Sequence, residues 1–338
     1  MYDLEEVVVS ITSRCNLRCK MCEIPNRHTE ELTTAEWKEI IKDSSRAGAQ
    51  VFVFSGGEPL LREDIFDLLS FAKDNGMVTR LCTNGFLMDN KVGSRLAQTG
   101  IDVINISLDG KEEIHDYLRG DGAFLGAIGA LKISNDFGIE TTIATVVSHY
   151  NYRHLTYIVE IAKKYKVATI KFQPFSRHFL IDKSKGDSFS FSREEAVELG
   201  ILLRRIASTC RQYGIHTNPD SYLEKIPPYL TNQVLDNGDS CAALWTSCPI
   251  NSNGDVLPCW EFKDSGILLG NLREKKFREI WNSDLHDSIR GKINKDHCRG
   301  CLMSCYDKIF EKKINKGLGN FYTNFRTSVL NFINNFIK

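Results

Sequence analysis

Three thiols stand within eight residues of the chain, in Ser13-Arg14-Cys15-Asn16-Leu17-Arg18-Cys19-Lys20-Met21-Cys22, at the spacing C-x3-C-x2-C. A thiolate rather than a thiol ligates metal, and three close thiolates can hold three corners of an iron–sulfur cluster. A closed cluster takes four cysteines, so a three-cysteine loop leaves one iron open to something other than protein. A zinc knuckle is the other reading of clustered thiols, although zinc sites usually pair C-x2-C units and close at four ligands. The preceding Val7-Val8-Val9-Ser10-Ile11 is a β-branched run that reads as a buried strand. The thiols therefore sit on the loop after a first strand, where α/β barrels place their chemistry.

Further polar residues follow later strand-like runs. Ser55-Gly56-Gly57-Glu58-Pro59 follows the second. Two glycines at a strand end let backbone approach a ligand closely, and Glu58 adds an anionic acceptor. Thr83-Asn84-Gly85 follows the third run and Ser107-Leu108-Asp109-Gly110 the fourth. Ser107 and Asp109 alternate on one face of a strand end, and both can hydrogen-bond a ribose diol. Arg119 carries a guanidinium fork suited to a carboxylate, or is a solvated surface arginine. A second set of thiols is Cys241, Cys248, Cys259, Cys298, Cys301 and Cys305. A turn at Gly254-Asp255 reads as a hairpin that brings Cys241 and Cys259 together, and Cys298-Arg299-Gly300-Cys301 is a C-x2-C knuckle. Two pairs make a four-cysteine site, which by spacing suits zinc as well as iron. Cys82 and Cys210 read as packed apolar residues. His149 and His154, at the fifth strand's exit, are structural or acid–base groups.

The elements that must position these groups alternate. Strands are expected at Val7–Ile11, Val51–Phe54, Val78–Cys82, Val103–Leu108, Thr141–Val147 and Thr169–Phe172, with helices between them. Thr33-Thr34-Ala35-Glu36 matches a capping box, and Asn151 is placed to cap the helix after the fifth strand. Such alternation means repeated βαβ units and a parallel sheet. Ser176–Ser192 reads as a polar linker, Arg193–Tyr213 as a helix and 214–240 as loops.

The cysteine loop resembles that of the radical S-adenosylmethionine (radical SAM) enzymes, with Met21 where the family usually has an aromatic residue. In that family the open iron of a [4Fe–4S] cluster is chelated by S-adenosylmethionine, whose reductive cleavage yields a 5′-deoxyadenosyl radical that abstracts hydrogen from a substrate. The resemblance implies a partial (β/α)6 TIM-like barrel, an α/β fold. It gives Cys15, Cys19 and Cys22 to the reactive cluster, and Gly56, Gly57, Glu58, Thr83, Asn84, Ser107, Asp109 and Arg119 to the cofactor, with Gln173 near adenine. The second thiol set, with Leu269-Gly270-Asn271-Leu272 and Glu279-Ile280-Trp281, resembles the auxiliary-cluster domain called SPASM or its short form, Twitch. Six cysteines rather than seven imply one auxiliary [4Fe–4S] cluster on Cys241, Cys259, Cys298 and Cys301, with Cys248 and Cys305 spare or alternative. Its expected task is electron transfer.

The domains implied are a barrel core (1–190), a helical and loop connector (191–240), the cysteine module (241–310) and a tail (311–338). The 43 basic residues equal the 43 acidic ones, which argues against bulk nucleic-acid binding. Eleven cysteines with no signal-like start and no long apolar run point to a cytoplasmic metal protein rather than a disulfide scaffold. The tail is basic: Lys312, Lys313, Lys316, Arg326 and Lys338 meet no acid after Glu311, and Phe321, Phe325, Phe332 and Phe336 recur at helical spacing. It is expected to be an amphipathic helix that caps its own core, or that lies on an anionic membrane or a partner through 318–338. A reductant such as flavodoxin or ferredoxin, and a small-molecule or peptide substrate, are the other implied partners. The reaction remains open between a dehydrogenase, an epimerase using Cys248 or Cys305 as hydrogen donor, and a peptide maturase. A non-catalytic iron–sulfur carrier is the alternative of another class.

Overall fold

A computed structural model describes residues 4–27, 29–232, 243–260, 266–292 and 301–303. Its frame is one curved sheet with helices on the outer face. The strands are β1 (Glu6–Thr12), β2 (Val51–Gly56), β3 (Val78–Thr83), β4 (Val103–Ser107), β5 (Glu140–Val147), β6 (Thr169–Pro174), β7 (His216–Thr217), β8 (Ser247–Ile250), β9 (Asp255–Val256) and β10 (Gly270–Asn271). Their order is β10-β9-β8-β1-β2-β3-β4-β5-β6-β7. Strands β1 to β7 run parallel in chain order, β8 joins the other side of β1 in parallel, and β9 is antiparallel to β8 and β10.

The pleat sorts each strand. Val7, Val9 and Ile11 of β1 are fully buried under the helices, while Val8 and Ser10 face the hollow inside the sheet. The helices are α1 (Thr34–Arg46), α2 (Ile65–Asp74), α3 (Asn90–Gln98), α4 (Glu112–Arg119), α5 (Ala123–Asp136), α6 (Leu155–Lys164), α7 (Arg193–Gln212), α8 (Asp220–Leu223), α9 (Ile226–Leu230), α10 (Phe277–Trp281) and α11 (Asp284–Lys292). Helix α1 starts at the expected box: the amide of Glu36 donates to Thr33 Oγ1 at 3.3 Å, and the Thr33 amide donates to the Glu36 carboxylate at 2.7 Å. It buries Trp37, Ile40, Ile41 and Ser44, a stripe at helical spacing. Burying each of the three large apolar side chains stabilises the fold by about 1.5–3 kcal/mol.

Three sequence expectations change. The connector is not separate from the barrel, because β7 extends the sheet beside β6 and α7 packs on α6. Residues 176–192 are not a loose linker. They form 3-10 turns at Arg177–Phe179 and Lys183–Phe189 and bury Leu180, Phe189 and Phe191. Leu180 lies in the three-residue run Phe179–Ile181, and Phe189 and Phe191 lie among serines, patterns too short to mark an element. Asn151 does not cap a helix. Its side-chain oxygen accepts the Ser148 amide at 2.8 Å, and its Nδ2 donates to the carbonyls of Asp109 and Val146, both at 2.8 Å. The expected tail helix lies outside the described residues. Among them no helix is long and apolar enough to cross a membrane.

Candidate functional site: a cysteine loop over the barrel cavity

Two adjoining cavities of about 250 and 290 Å³ fill the inside of the sheet. Ser55, Gly56, Cys82, Ser107, Arg119 and Gln173 line both. Cys15, Cys19 and Cys22 all line the second, so one loop brings its three thiols to one hollow. Among the described residues no three cysteine, histidine or carboxylate side chains close on a single ion. The three thiols of this loop face one space, and cysteine thiolates are what hold an iron–sulfur cluster. Burial is the main cause that pushes all three thiols up, Cys22 to about 11, so a cationic partner is needed to hold them as thiolates.

Several elements hold the loop. The Lys20 amide donates to the Leu118 carbonyl of α4 at 2.8 Å, and the Cys19 thiol lies 3.8 Å from the Arg119 carbonyl. The amides of Gly57 and Glu58 donate to the carbonyls of Thr12 and Arg14 at 2.7 and 2.8 Å. This approach leaves no room for a side chain. A Cβ on Gly57 would lie 2.1 Å from the Arg14 carbonyl oxygen, and one on Gly56, whose φ is +129°, would lie 2.4 Å from that of Thr12. The paired glycines are thus required by packing against the loop, and they bare β2 backbone to the cavity.

The structure divides the other expected residues into two sets. Thr83, Asn84, Ser107 and Arg119 reach the cavity. Asn84 Nδ2 donates to Asn16 Oδ1 at 2.9 Å and lies 3.8 Å from the Cys15 sulfur. Glu58 and Asp109 do not line this cavity. Both are 0 % exposed. Glu58 turns inward, accepting from Thr83 Oγ1 at 2.8 Å and from the amides of Asn84 and Leu60 at 2.8 and 3.1 Å. Burial outweighs these donors and pushes its pKa up to about 7. Strand β4 stops at Ser107, so the alternation that would pair Ser107 with Asp109 ends there. Asp109 instead accepts from Arg119 Nε at 2.6 Å and from the Val146 amide at 2.8 Å. Burial, the largest single cause, disfavours a charged Arg119, but the Asp109 carboxylate together with the Cys19 and Cys22 sulfurs outweighs it and holds the guanidinium above its ordinary pKa.

Sequence reasoning missed the supports of that pair. The buried His115 ring accepts the Asp109 amide on Nδ1 at 3.0 Å, and burial pushes its pKa down to about 4, which keeps it neutral. Asn151 holds the Asp109 carbonyl. It also missed Glu23, whose carboxylate accepts from the amides of Ile181 and Asp182 and from Lys185 Nζ. The Lys185 hydrogen bond is the largest cause that holds Glu23 down near 2. Glu23 ties residues 176–192 across the cysteine loop as a strap, and Phe179 of that strap lines both cavities. Cys82 is not a core residue: it is half-buried, lines both cavities and receives Asn105 Nδ2 at 3.4 Å. Cys210 is buried in the main core, as expected. His149 lies 3.0 Å from Glu195 on the outside of α7, and the Cβ of His154 would lie 3.4 Å from one built on Gly110.

Of the second thiol set, Cys259 and Cys301 pack in one small cluster with Ala243, Met303, Phe179 and Trp260. Met303 and Trp260 also line the 250 Å³ cavity, and Gln173 Nε2 donates to the Met303 sulfur at 3.4 Å. The cysteine module therefore walls the barrel interior. Cys248 belongs elsewhere: on β8, opposite Val7 of β1, it is fully buried in the main core on the helix side. It cannot serve as a ligand beside Cys259 or as a hydrogen donor into the cavity. Cys241, Cys298 and Cys305 lie outside the described residues.

Comparison with known proteins bears on this arrangement. Residues 9–162 match the model of the radical SAM superfamily, and residues 241–302 match that of the SPASM iron–sulfur cluster-binding domain. A Fe-coproporphyrin III synthase of Methanosarcina barkeri is 28% identical over 87% of this chain and 80% of its own length. An AdoMet-dependent heme synthase of the same organism is 26% identical over 88% and 90%. Streptococcus suis SuiB bound to S-adenosylmethionine shares the fold at a TM-score of 0.72 and 21% identity, over 90% of this chain and 72% of SuiB. Native anSMEcpe with bound AdoMet shares it at 0.68 and 18%, over 95% and 100%. The cysteine loop, the glycine pair packed against it and these matches lead to one conclusion: the chain belongs to the radical SAM superfamily, and is an enzyme of that class that uses a [4Fe–4S] cluster with S-adenosylmethionine and carries a SPASM auxiliary iron–sulfur domain.

Proposed function

We propose that Cys15, Cys19 and Cys22 hold the reactive cluster and that the 290 Å³ cavity beside them takes S-adenosylmethionine. The convergence of three thiols, a bare glycine backbone and an anchored arginine on one hollow carries this reading. The cluster, when bound, supplies the electron that cleaves the cofactor and so starts hydrogen abstraction from the substrate. The chain's own groups do the positioning. The backbone at Gly56 and Gly57 meets the cofactor's amino group, and Arg119 pairs with its carboxylate. Ser107 serves the ribose, and Thr83 and Asn84 order the loop between them. Glu58 and Asp109 act at one remove, Glu58 through Thr83 and Asn84 and Asp109 through Arg119.

Cys241, Cys259, Cys298 and Cys301 are the ligands proposed for an auxiliary [4Fe–4S] cluster, in a module over 241–310 that follows the barrel core and the connector. A substrate between the two centres would touch Lys171 and Arg80 on the floor of the 250 Å³ cavity. One Methanosarcina barkeri relative is named for making Fe-coproporphyrin III and the other for making heme, so an iron tetrapyrrole is the first substrate class to offer. A flavodoxin or ferredoxin is the proposed reductant, and the 318–338 tail the proposed membrane or partner contact. The test is anaerobic reconstitution followed by reduced methyl viologen and S-adenosylmethionine. Wild type is expected to form 5′-deoxyadenosine, and the Cys15→Ala/Cys19→Ala/Cys22→Ala variant none. Equal product from the triple variant would show that other residues hold the reactive cluster.

A further inference from the structure

The cysteine loop has a second wet face. Cys19 and Cys22 line not only the barrel cavity but also an outer concavity of about 400 Å³. Arg18, Lys20 and Lys185 stand on its rim, all exposed. Its one lining acid, Glu23, is committed to Lys185 and to the amides of the strap. Asp182 also acts on Lys185, so that lysine's charge is spent, while Asp187 pairs with Arg177 at 2.6 Å. Arg18 donates only to the carbonyls of Cys15 and Leu17, and Lys20 Nζ lies 4.5 Å above the Tyr117 ring. Among the described residues neither meets a carboxylate, so the concavity carries surplus positive charge. Its wall is aromatic: the Tyr117 and Tyr150 ring centroids are 5.3 Å apart, and Tyr150 meets Phe189 edge-on at 5.2 Å.

We propose that this concavity is the docking site of an acidic electron-carrier protein of the flavodoxin type, which presents the exposed edge of a flat flavin to the Tyr117–Tyr150 wall beneath Arg18 and Lys20. The inference rests on the reading of Cys19 and Cys22 as cluster ligands. Charge complementarity selects an acidic partner, and an aromatic hollow suits a flat ring better than a protein loop. Because two ligand thiols form part of the wall, a carrier seated here is in contact with the residues that hold the electron's destination. The anionic two-electron-reduced flavin loses one electron and no proton, becoming the neutral radical, and the cluster gains that electron.

The test uses the full, reconstituted chain and oxidised flavodoxin as probe. Binding measured by calorimetry is expected to weaken steeply between about 50 and 300 mM NaCl as the charges are screened. Lys20→Glu is expected to weaken it about tenfold at the lower salt and to flatten the salt dependence. Tyr117→Glu, which puts an acid in the same hollow from α4 and leaves the loop's sequence unchanged, is expected to do the same. Cluster reduction by reduced flavodoxin, followed by electron paramagnetic resonance, slows in parallel, whereas reduction by the cationic methyl viologen radical does not. Unchanged flavodoxin binding in both variants overturns the proposal, as does tighter, Lys20-dependent binding of a ferredoxin. Failure of the docking site leaves viologen-driven 5′-deoxyadenosine formation intact, so it is distinguishable from failure of the ligand assignment.

Discussion

Gly57→Ala is the sharpest perturbation the structure offers, because it adds one methyl group at a known place. Gly57 has no left-handed φ, so the effect is purely one of space. The new Cβ would sit 2.1 Å from the Arg14 carbonyl oxygen, and ordinary contact begins at 3.4 Å, so the two backbones must part by 3.4 − 2.1 = 1.3 Å. The atom in the way belongs to the backbone one residue before Cys15, and it also accepts the Glu58 amide. Overpacking of this kind costs about 1–3 kcal/mol, which a domain of this size survives. The loop, however, must hold three thiols at set separations, and a displacement of 1.3 Å exceeds the tolerance of a preorganised site. The variant is expected to fold, melt a few degrees lower and bind less than half the wild-type iron at the reactive site. The assay is iron and sulfide content after anaerobic reconstitution, in a background with Cys259→Ala and Cys301→Ala to remove the second centre, together with a thermal melt. Gly129→Ala is the control: it lies in α5, nothing stands within 4 Å of its Cβ, and its iron content should not change. Replacing a helical glycine there should stabilise by about 0.5–1 kcal/mol. A Gly57→Ala protein with full iron and normal S-adenosylmethionine affinity would refute the claim that the glycine pair exists to admit the loop.

Three other outcomes follow from the site. Asp109→Asn leaves Arg119 charged in a place where its side chain is only 11 % exposed, and removing one partner of such a pair destabilises by about 3–5 kcal/mol; S-adenosylmethionine binding, read by calorimetry, should weaken at least tenfold, and an unchanged affinity would sink the positioning role. Glu58 keeps its proton to about pH 7 in the folded chain but to about 4.5 when unfolded, so the folded state binds more protons in between and its contribution is fully present below 4.5 and lost as pH rises to 7. Urea unfolding of Glu58→Gln before cluster assembly should therefore lack a decline of about 3 kcal/mol over that window, and parallel curves for variant and wild type would count against it. Deleting 318–338 should abolish binding to anionic liposomes with both clusters retained, and an intact chain that ignores such liposomes rules out membrane attachment through the tail.

Much of this protein is legible in local sequence because its evidence is local. C-x3-C-x2-C, the glycine pair after the second strand, the Thr33–Glu36 box and the alternation of β-branched runs with helical stripes each fall within a few residues. They sufficed for a parallel barrel-like sheet with its chemistry at the strand ends. Residues that act through another residue left no such mark. Glu58 and Asp109 look like ligand groups in the sequence, yet both are turned inward: Thr83 and the Asn84 amide hold Glu58, and the close of β4 at Ser107 and the position of Arg119 set Asp109. The two thiols Cys82 and Cys248 exchanged roles for the same reason. Strand parity relative to the sheet's curvature put Cys82 in the cavity and Cys248 behind it, and parity has meaning only once the partner strands are known. The strap over the cysteine loop depends on contacts about 160 positions apart, such as Glu23 with Lys185, which are 162 apart, and no periodicity encodes an interaction at that range. The identity of the metal-binding loop was thus a property of the chain, whereas which side chains face the cavity was a property of the folded sheet.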